Sequence, residues 1–225
     1  MERVYSVAID GPSGAGKSTL AKECAKRFGF LYVDTGAIYR TVGLAARRSG
    51  IAPEEAEAVL PLLPTLEIDL RHSTDGQHMF LFDEDVNGLI RTPEISAYAS
   101  KVSAIPEVRS FLMEMQRSLA RKNSVIMDGR DIGTVVLPDA DIKVFLTASA
   151  EERAARRQRE LLDKGQSLSF EEVLRDMQER DERDSQRAAA PLKQAEDAVL
   201  LDTSALTLEE SIERLCALIS GVIAL

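Results

Sequence analysis

Only two cysteines occur in the 225 residues, Cys24 and Cys216, far apart and in no spacing that suits a metal. Two buried free thiols in a reducing compartment are the expectation. Positive charge is also short: 28 Lys and Arg stand against 37 Asp and Glu, a net charge of −9. That balance argues against a long polyanionic partner such as DNA or RNA, while leaving room for a small phosphate ligand in a local basic pocket. Long hydrophobic runs are missing. The longest, "ALISGVIAL" (217–225), is too short to cross a bilayer. "MERVYSVAID" has no basic region followed by an apolar stretch and a cleavage site, so no signal peptide is expected. No low-complexity tract or internal repeat is present. These absences point to a soluble, cytoplasmic protein with no membrane and no nucleic-acid partner. What is present is ordinary core material: hydrophobic residues make up 44 %, and the length suits one medium domain with an insertion or two small ones.

Short apolar runs alternate with helical patterns. "YSVAI" (5–9) is rich in β-branched residues and reads as a strand buried on both faces. A glycine-rich turn follows, then a helix from Ser18 to about Phe28, closed by Gly29. "FLYV" (30–33) is a second strand, and "TGAIYRTVGLAARRSG" a second helix stopped by Gly50. "SVIM" (124–127), "IKVFL" (142–146) and "AVLL" (198–201) bring the strands to five. Helical patterns cover 94–121, broken near Pro106, then 150–163, 170–188 and 208–219. Capping boxes head three of these helices, in "SAEE" from Ser149, "SFEE" from Ser169 and "TLEE" from Thr207. The pattern predicts an α/β fold, a five-stranded, mostly parallel sheet with helices on both faces. Such sheets bind ligands at the carboxyl ends of their strands. Residues 62–92 break the rhythm. "TLEIDL" and "HMFLF" read as short strands joined by "STDGQ", and "VNG" marks another turn. They predict a small β insertion that divides a core of 1–61 and 93–225. Residues 150–190 hold eight arginines and one lysine, a bias that suits bidentate contacts to phosphate oxygens.

"GPSGAGKS" (11–18) fits G-x-x-x-x-G-K-[ST] and sits between a strand and a helix. Gly11, Gly14 and Gly16 let the backbone around Pro12, Ser13 and Ala15 turn its amides inward as an anion nest. The helix that begins near Lys17 adds its positive dipole end. Lys17 supplies a mobile cation to β and γ phosphates, and Ser18 a hydroxyl to Mg²⁺. This implies a nucleoside triphosphate. A GTPase should carry a guanine-reading N-K-x-D late in the chain, and none is found. A small-molecule kinase with a second, acceptor pocket fits better.

Two segments suit that pocket. "DTGAIYR" (34–40) follows the second strand and offers Thr35 and Arg40 to a substrate, with Tyr39 as wall. "MDGRDIG" (127–133) follows a buried strand directly. Asp128 stands where P-loop enzymes place an acid near the metal, often through water. Arg130 and Asp131 project beyond it between Gly129 and Gly133. A third segment, "RDERDSQR" (180–187), sets Arg180, Arg183, Asp184 and Arg187 at i, i+3, i+4 and i+7, one helical face. Asp181 and Glu182 fall off that face and read as solvated.

"IDGPSGAGKST", "DTGAIYR", "DGRDIGTVVLPDADIKVFL", "RDERDSQRAAAPL" and "VLLDTS" together resemble the bacterial cytidylate kinases, over essentially the whole chain and in order. The resemblance implies a P-loop monophosphate-kinase fold with a helical lid over 150–190, and transfer from ATP, with Mg²⁺, to CMP or dCMP. Carried over residue by residue, it implies that Gly11 to Thr19 hold the ATP phosphates and that Arg153 and Arg157 on the mobile lid close over them. Arg40, Arg130 and Arg187 would grip the CMP phosphate. Ser100, Arg109 and Asp131 would read cytosine, and Arg180 and Asp184 would hold the sugar hydroxyls. Lys17, Arg130, Asp128 and Arg187 are then the catalytic set, with Ser18 and Asp128 toward the metal. Arg183 shares the face without a carried-over role. The family commonly has Ser or Thr ahead of the glycine in the second segment, and Thr35 keeps that hydroxyl. A kinase for UMP, AMP or shikimate is disfavoured by the "GRD" loop and the insertion, and a nucleotide-dependent switch by the surplus of arginines. Nothing forces a dimer, and a monomer is the default expectation.

Overall fold

The computed structural model describes residues 3–73, 76–163 and 165–223. Thr74 and Asp75 of the expected "STDGQ" turn, Lys164 of the arginine-rich stretch and the last two residues of "ALISGVIAL" lie outside the described residues. In chain order the strands and helices begin with β1 (Ser6–Asp10), α1 (Lys17–Phe28), β2 (Leu31–Asp34), α2 (Thr35–Arg48) and a short α3 (Ala56–Val59). A 3₁₀ turn over Leu60–Thr65 leads into β3 (Ile68–Ser73), β4 (Gly76–Leu81) and β5 (Glu84–Asp85). Then come α4 (Pro93–Val102), α5 (Pro106–Lys122), β6 (Val125–Asp128), a π-type turn over Ile132–Val136 and β7 (Ile142–Thr147). The chain finishes with α6 (Ala150–Asp163), α7 (Phe170–Gln186), β8 (Val199–Asp202) and α8 (Leu208–Ser220). All five expected core strands form. Four of them sit one residue further on than the apolar runs suggest, because ladder pairing rather than composition sets where a strand ends.

The chain packs as two compact units, Met1–Leu31 with Lys122–Leu225, and Tyr32–Arg121. In the first, β1 runs parallel to both β6 and β7, and β7 runs parallel to β8. The five-stranded sheet has the order β2-β6-β1-β7-β8. Ile9 pairs with Asp128 in this register, so the carboxyl ends of β1 and β6 finish side by side. Val7, Ile9, Ile126, Met127, Val144 and Leu146 are buried almost completely. Each such side chain contributes about 1.5–3 kcal/mol when removed from water. Helix α1 packs against β6 and α8. Helices α6 and α7 share a small core of Ala154, Leu161, Val173 and Met177, with Phe170 and Leu174 packed against it.

Two of the three expected capping boxes form in full, at Ser169 and Thr207. The third is half made. Glu152 N–H donates to Ser149 Oγ at 3.2 Å, but the Ser149 N–H donates to Ser204 Oγ at 2.8 Å instead of to the glutamate. A tertiary partner has replaced the local one.

In the second unit α2 packs against α4, and β4 pairs antiparallel with β3 and β5. The insertion therefore has three strands where the sequence suggests two. The extra strand is two residues long, and the turn into it runs through Phe82 and Asp83 at positive φ (51° and 63°). Neither the length nor the turn residues are ones a pattern search rewards. No helix among the described residues is long and apolar enough to cross a membrane.

Candidate active site

The turn between β1 and α1 is shaped by close approach. Gly11 lies so near β7 that a Cβ there would stand 1.9 Å from the Leu146 carbonyl oxygen, at φ 148°. No other residue fits. A Cβ on Gly14, also at positive φ, would meet the Met177 methyl at 2.5 Å and Arg153 at 3.3 Å. Helices α6 and α7 thus lie directly on the glycine turn. Lys17 is buried, with Nζ donating to the carbonyls of Gly11 and Pro12 at 2.8 and 2.7 Å. Burial, then the nearby Arg130, pulls its ammonium well below the ordinary lysine range. Ser18 Oγ donates to Asp128 Oδ2 at 2.7 Å, uniting the two residues expected at the metal.

Asp10, which sequence reasoning passed over, organises the neighbouring loop. Its buried carboxylate accepts from the N–H groups of Ile132 and Gly133, both at 2.7 Å, and so anchors the turn that follows "GRD". Burial raises its pKa to about 6, against the lowering effect of those two amides. The available signal was an acid at the last position of a buried strand, directly ahead of the first loop glycine.

The expected acceptor residues of this unit meet one another. Arg130 Nε donates to Asp184 Oδ2 at 2.8 Å, and Arg187 Nη2 lies 3.5 Å from Asp131 Oδ1. Arg187 also donates from Nε to the Ala190 carbonyl at 2.5 Å. Burial opposes charge on Asp184, yet Arg130, Arg180 and Arg187 together hold it below the usual carboxylate range. Burial likewise opposes charge on Arg130, and Asp184 outweighs it, so that guanidinium is held more firmly than normal. Arg183 is exposed.

Asp181 requires a correction. Read as a solvated residue, it instead accepts from the Ser13 N–H at 3.1 Å and from Arg153 Nη1 at 2.5 Å. Arg153, buried, also donates to the carbonyls of Ser13 and Ala148 at 2.9 and 3.0 Å. Arg153 thus lies against the phosphate loop, and Arg157 pairs with Glu160, one turn along α6, at 3.0 Å. Its neighbour Arg156, not singled out from sequence, donates to the Thr203 carbonyl at 3.0 Å.

In the second unit Arg40 Nη2 donates to Asp34 Oδ2 at 2.8 Å, while Asp34 Oδ1 caps α2 through the Ala37 N–H at 2.9 Å. Arg91 Nη2, which no motif singles out, approaches the same Oδ2 at 3.6 Å. Thr35 is buried at the start of α2. Arg109 is buried, donates to the Ser103 carbonyl at 3.2 Å and stands 5.4 Å over the Tyr39 ring. Ser100 is part-buried, with its carbonyl taken by Ser103 Oγ at 2.9 Å.

Hard oxygen donors are what Mg²⁺ requires, and Ser18 with Asp128 provides two that already touch. Among the described residues no cluster of three or more metal-ligating side chains occurs. A cation here would fill its shell with water and phosphate oxygens, the usual manner for this ion.

A family model described as cytidylate kinase matches residues 7–221. The chain is 50 % identical over 213 residues to the cytidylate kinase of Carboxydothermus hydrogenoformans, covering 95 % of this chain and 96 % of that one. It is 51 % identical over 218 residues to that of Desulfitobacterium hafniense, covering 97 % and 94 %. Among solved structures, a gluconokinase from Sinorhizobium meliloti superposes with a TM-score of 0.50 at 15 % identity, over 99 % of this chain and 96 % of that one. An uncharacterised protein from Eubacterium ventriosum gives 0.55 at 12 %, over 96 % and 99 %. These likenesses concern the fold alone.

Proposed function

The chain belongs to the cytidylate kinase family and phosphorylates CMP and dCMP with ATP; we propose the following division of labour among its residues. An oxygen of the CMP phosphate attacks the γ-phosphorus in line, the γ-phosphorus–oxygen bond to ADP breaks, and ADP leaves. No general base is needed, because the attacking phosphate is already ionised. The chain's task is positioning and charge neutralisation.

Lys17 leaves the carbonyls of Gly11 and Pro12 for the transferring phosphoryl group, and the amides from Gly11 to Thr19 hold the rest of the donor. Arg153 and Arg157 close over the triphosphate and exclude water, which would otherwise accept the phosphoryl group. Ser18 and Asp128, the latter through water, would hold Mg²⁺, which supplies charge neutralisation across the donor phosphates. Arg130, Arg187 and Arg40 grip the acceptor phosphate. Asp131 accepts from the cytosine amine, with Ser100 and Arg109 toward the ring. Arg180 and Asp184 hold the sugar. The protein works as a monomer in the cytoplasm.

The observation that carries this assignment is the set of buried acid–arginine pairs, Arg130–Asp184 and Arg187–Asp131, beside the phosphate loop of one unit. Buried pairs of that kind are poor stabilisers, so their presence speaks for a ligand-facing role. An assay of ADP release across CMP, dCMP, UMP, AMP and shikimate tests it. Turnover led by CMP and dCMP is expected; equal rates with AMP or shikimate would overturn the acceptor reading.

A further inference from the structure

The phosphate loop is already occupied by an anion of the protein's own. Asp181 places one carboxylate oxygen on the Ser13 N–H (3.1 Å) and the other on Arg153 Nη1 (2.5 Å). Arg153 in turn closes on the Ser13 carbonyl at 2.9 Å. The loop amide, the lid arginine and the carboxylate thus form one closed ring, with the Met177 methyl 2.5 Å from the place a Cβ of Gly14 would take. Lys17 is likewise turned onto the loop's own carbonyls. The Ser13 N–H, the Arg153 guanidinium and the Lys17 ammonium are donors of the kind that triphosphate oxygens would use, and in this state the Ser13 N–H and Arg153 Nη1 are spent on Asp181.

We propose that Asp181 is a positioning residue that competes with the donor nucleotide, its carboxylate standing in for a phosphate oxygen at Ser13 and Arg153 until ATP displaces it. The inference rests on ATP binding at the phosphate loop. Displacement frees Arg153 to meet the triphosphate and detaches α7 from the loop in the same event. ATP affinity is therefore reduced by the competition, while the lid arginine is kept in place and neutralised in the absence of nucleotide. The same helix carries Asp184, whose carboxylate holds Arg130. Release at Asp181 thus loosens the segment that organises the acceptor arginines.

The test uses Asp181→Asn, which keeps the shape and the acceptor for Ser13 but removes the charge. ATP binding is measured by calorimetry without acceptor, and melting temperature with and without ATP. A charge-assisted contact is about 1 kcal/mol stronger than a neutral one, which predicts ATP binding about 5-fold tighter in the variant. The variant should also melt lower without nucleotide and gain a larger upward shift from ATP. ADP release in the absence of CMP should rise, and the KM for ATP should fall. Asp181→Glu restores the charge and should return ATP affinity toward the wild-type value.

Equal or weaker ATP binding in Asp181→Asn would overturn the proposal, as would a Glu variant that binds as tightly as the Asn one. Should Asp181→Asn fail to accumulate, the wild type answers the question. The ¹³C signal of the Asp181 carboxylate should move on addition of ATP, and a fixed signal would sink the idea. If the wild type itself binds no ATP, it is the phosphate-loop reading that fails rather than the role of Asp181.

Discussion

Arginines meet carboxylates in both units of this protein, but in different surroundings. In the unit of residues 1–31 and 122–225, the side chains of Arg187 and Asp131 are 7 % and 5 % exposed, and those of Arg153 and Asp181 9 % and 18 %. In residues 32–121, Arg48–Glu84, Arg47–Glu94 and Arg71–Asp69 all stand largely in water. Arg40–Asp34 is the exception there, at 17 % and 8 %. Exposed pairs contribute little to stability, whereas a buried pair costs desolvation and is badly missed only when one partner goes. Contact distance does not sort them: the exposed Arg48–Glu84 pair stands at 2.6 Å and the buried Arg187–Asp131 pair at 3.5 Å. The pairs to which we assign a ligand are those that have lost the water around them, and by that measure Arg40–Asp34 groups with them.

The contrast can be broken most forcefully at Lys17. Lys17→Ala should reduce phosphoryl transfer by about 10³-fold while leaving the melting temperature almost unchanged, because its partners are carbonyls that water can satisfy. Near-normal turnover would remove the phosphate-loop argument. Next in size, Arg130→Ala leaves Asp184 buried without its main partner, a cost of about 3–5 kcal/mol, visible as a lower urea midpoint. Pairing it with Asp184→Leu should recover much of that loss without recovering activity. Arg187→Ala should raise the KM for CMP and lower kcat while sparing ATP binding. A fall in thermal stability alone would return "RDERDSQR" to a plain solvated face.

Acid–base behaviour separates two carboxylates of the same unit. Asp10 has its pKa raised from 3.8 to about 6, so the folded state binds the proton more tightly. Its contribution to stability is greatest at low pH and declines as pH rises from about 3.8 to about 6, by about 3 kcal/mol in all. Asp184 is lowered instead, so its contribution is present above 3.8 and is lost as pH falls below that through its folded value. Urea unfolding of Asp10→Asn across pH 3 to 7 should lack the declining limb; an identical limb would remove Asp10 as its source. Smaller again, Asp131→Ala should reduce the CMP to UMP ratio of kcat/KM by about 10-fold, since the cytosine amine loses its acceptor. Smallest of all, Glu84→Ala should leave the melting temperature within about 1 °C, although Arg48 grips both of its oxygens.

Much of the site could be read in advance because its chemistry is local. Glycines at 11, 14 and 16 with Lys17 and Ser18 specify a nest wherever a strand precedes and a helix follows. Capping residues and apolar runs marked the helices within one or two residues. Asp181 shows where such reading stops. Helical spacing places it off the face of Arg180, Asp184 and Arg187, and only the packing of α7 on the glycine turn brings it to Ser13 and Arg153. Asp10 and Asp34 were overlooked for a related reason. Each is an acid at a strand end, and its partners lie in a loop more than a hundred residues away or on a helix still to be formed.

The amino-acid sequence by itself determined the periodicities, the phosphate nest and the acid–arginine composition of the acceptor segments, because each depends on neighbours within a few residues. Tertiary structure alone decided which carboxylate faces which arginine, where the third insertion strand lies and which donor of the phosphate loop is already taken. Those outcomes depend on distances between segments far apart in the chain, and on how much water their meeting removes.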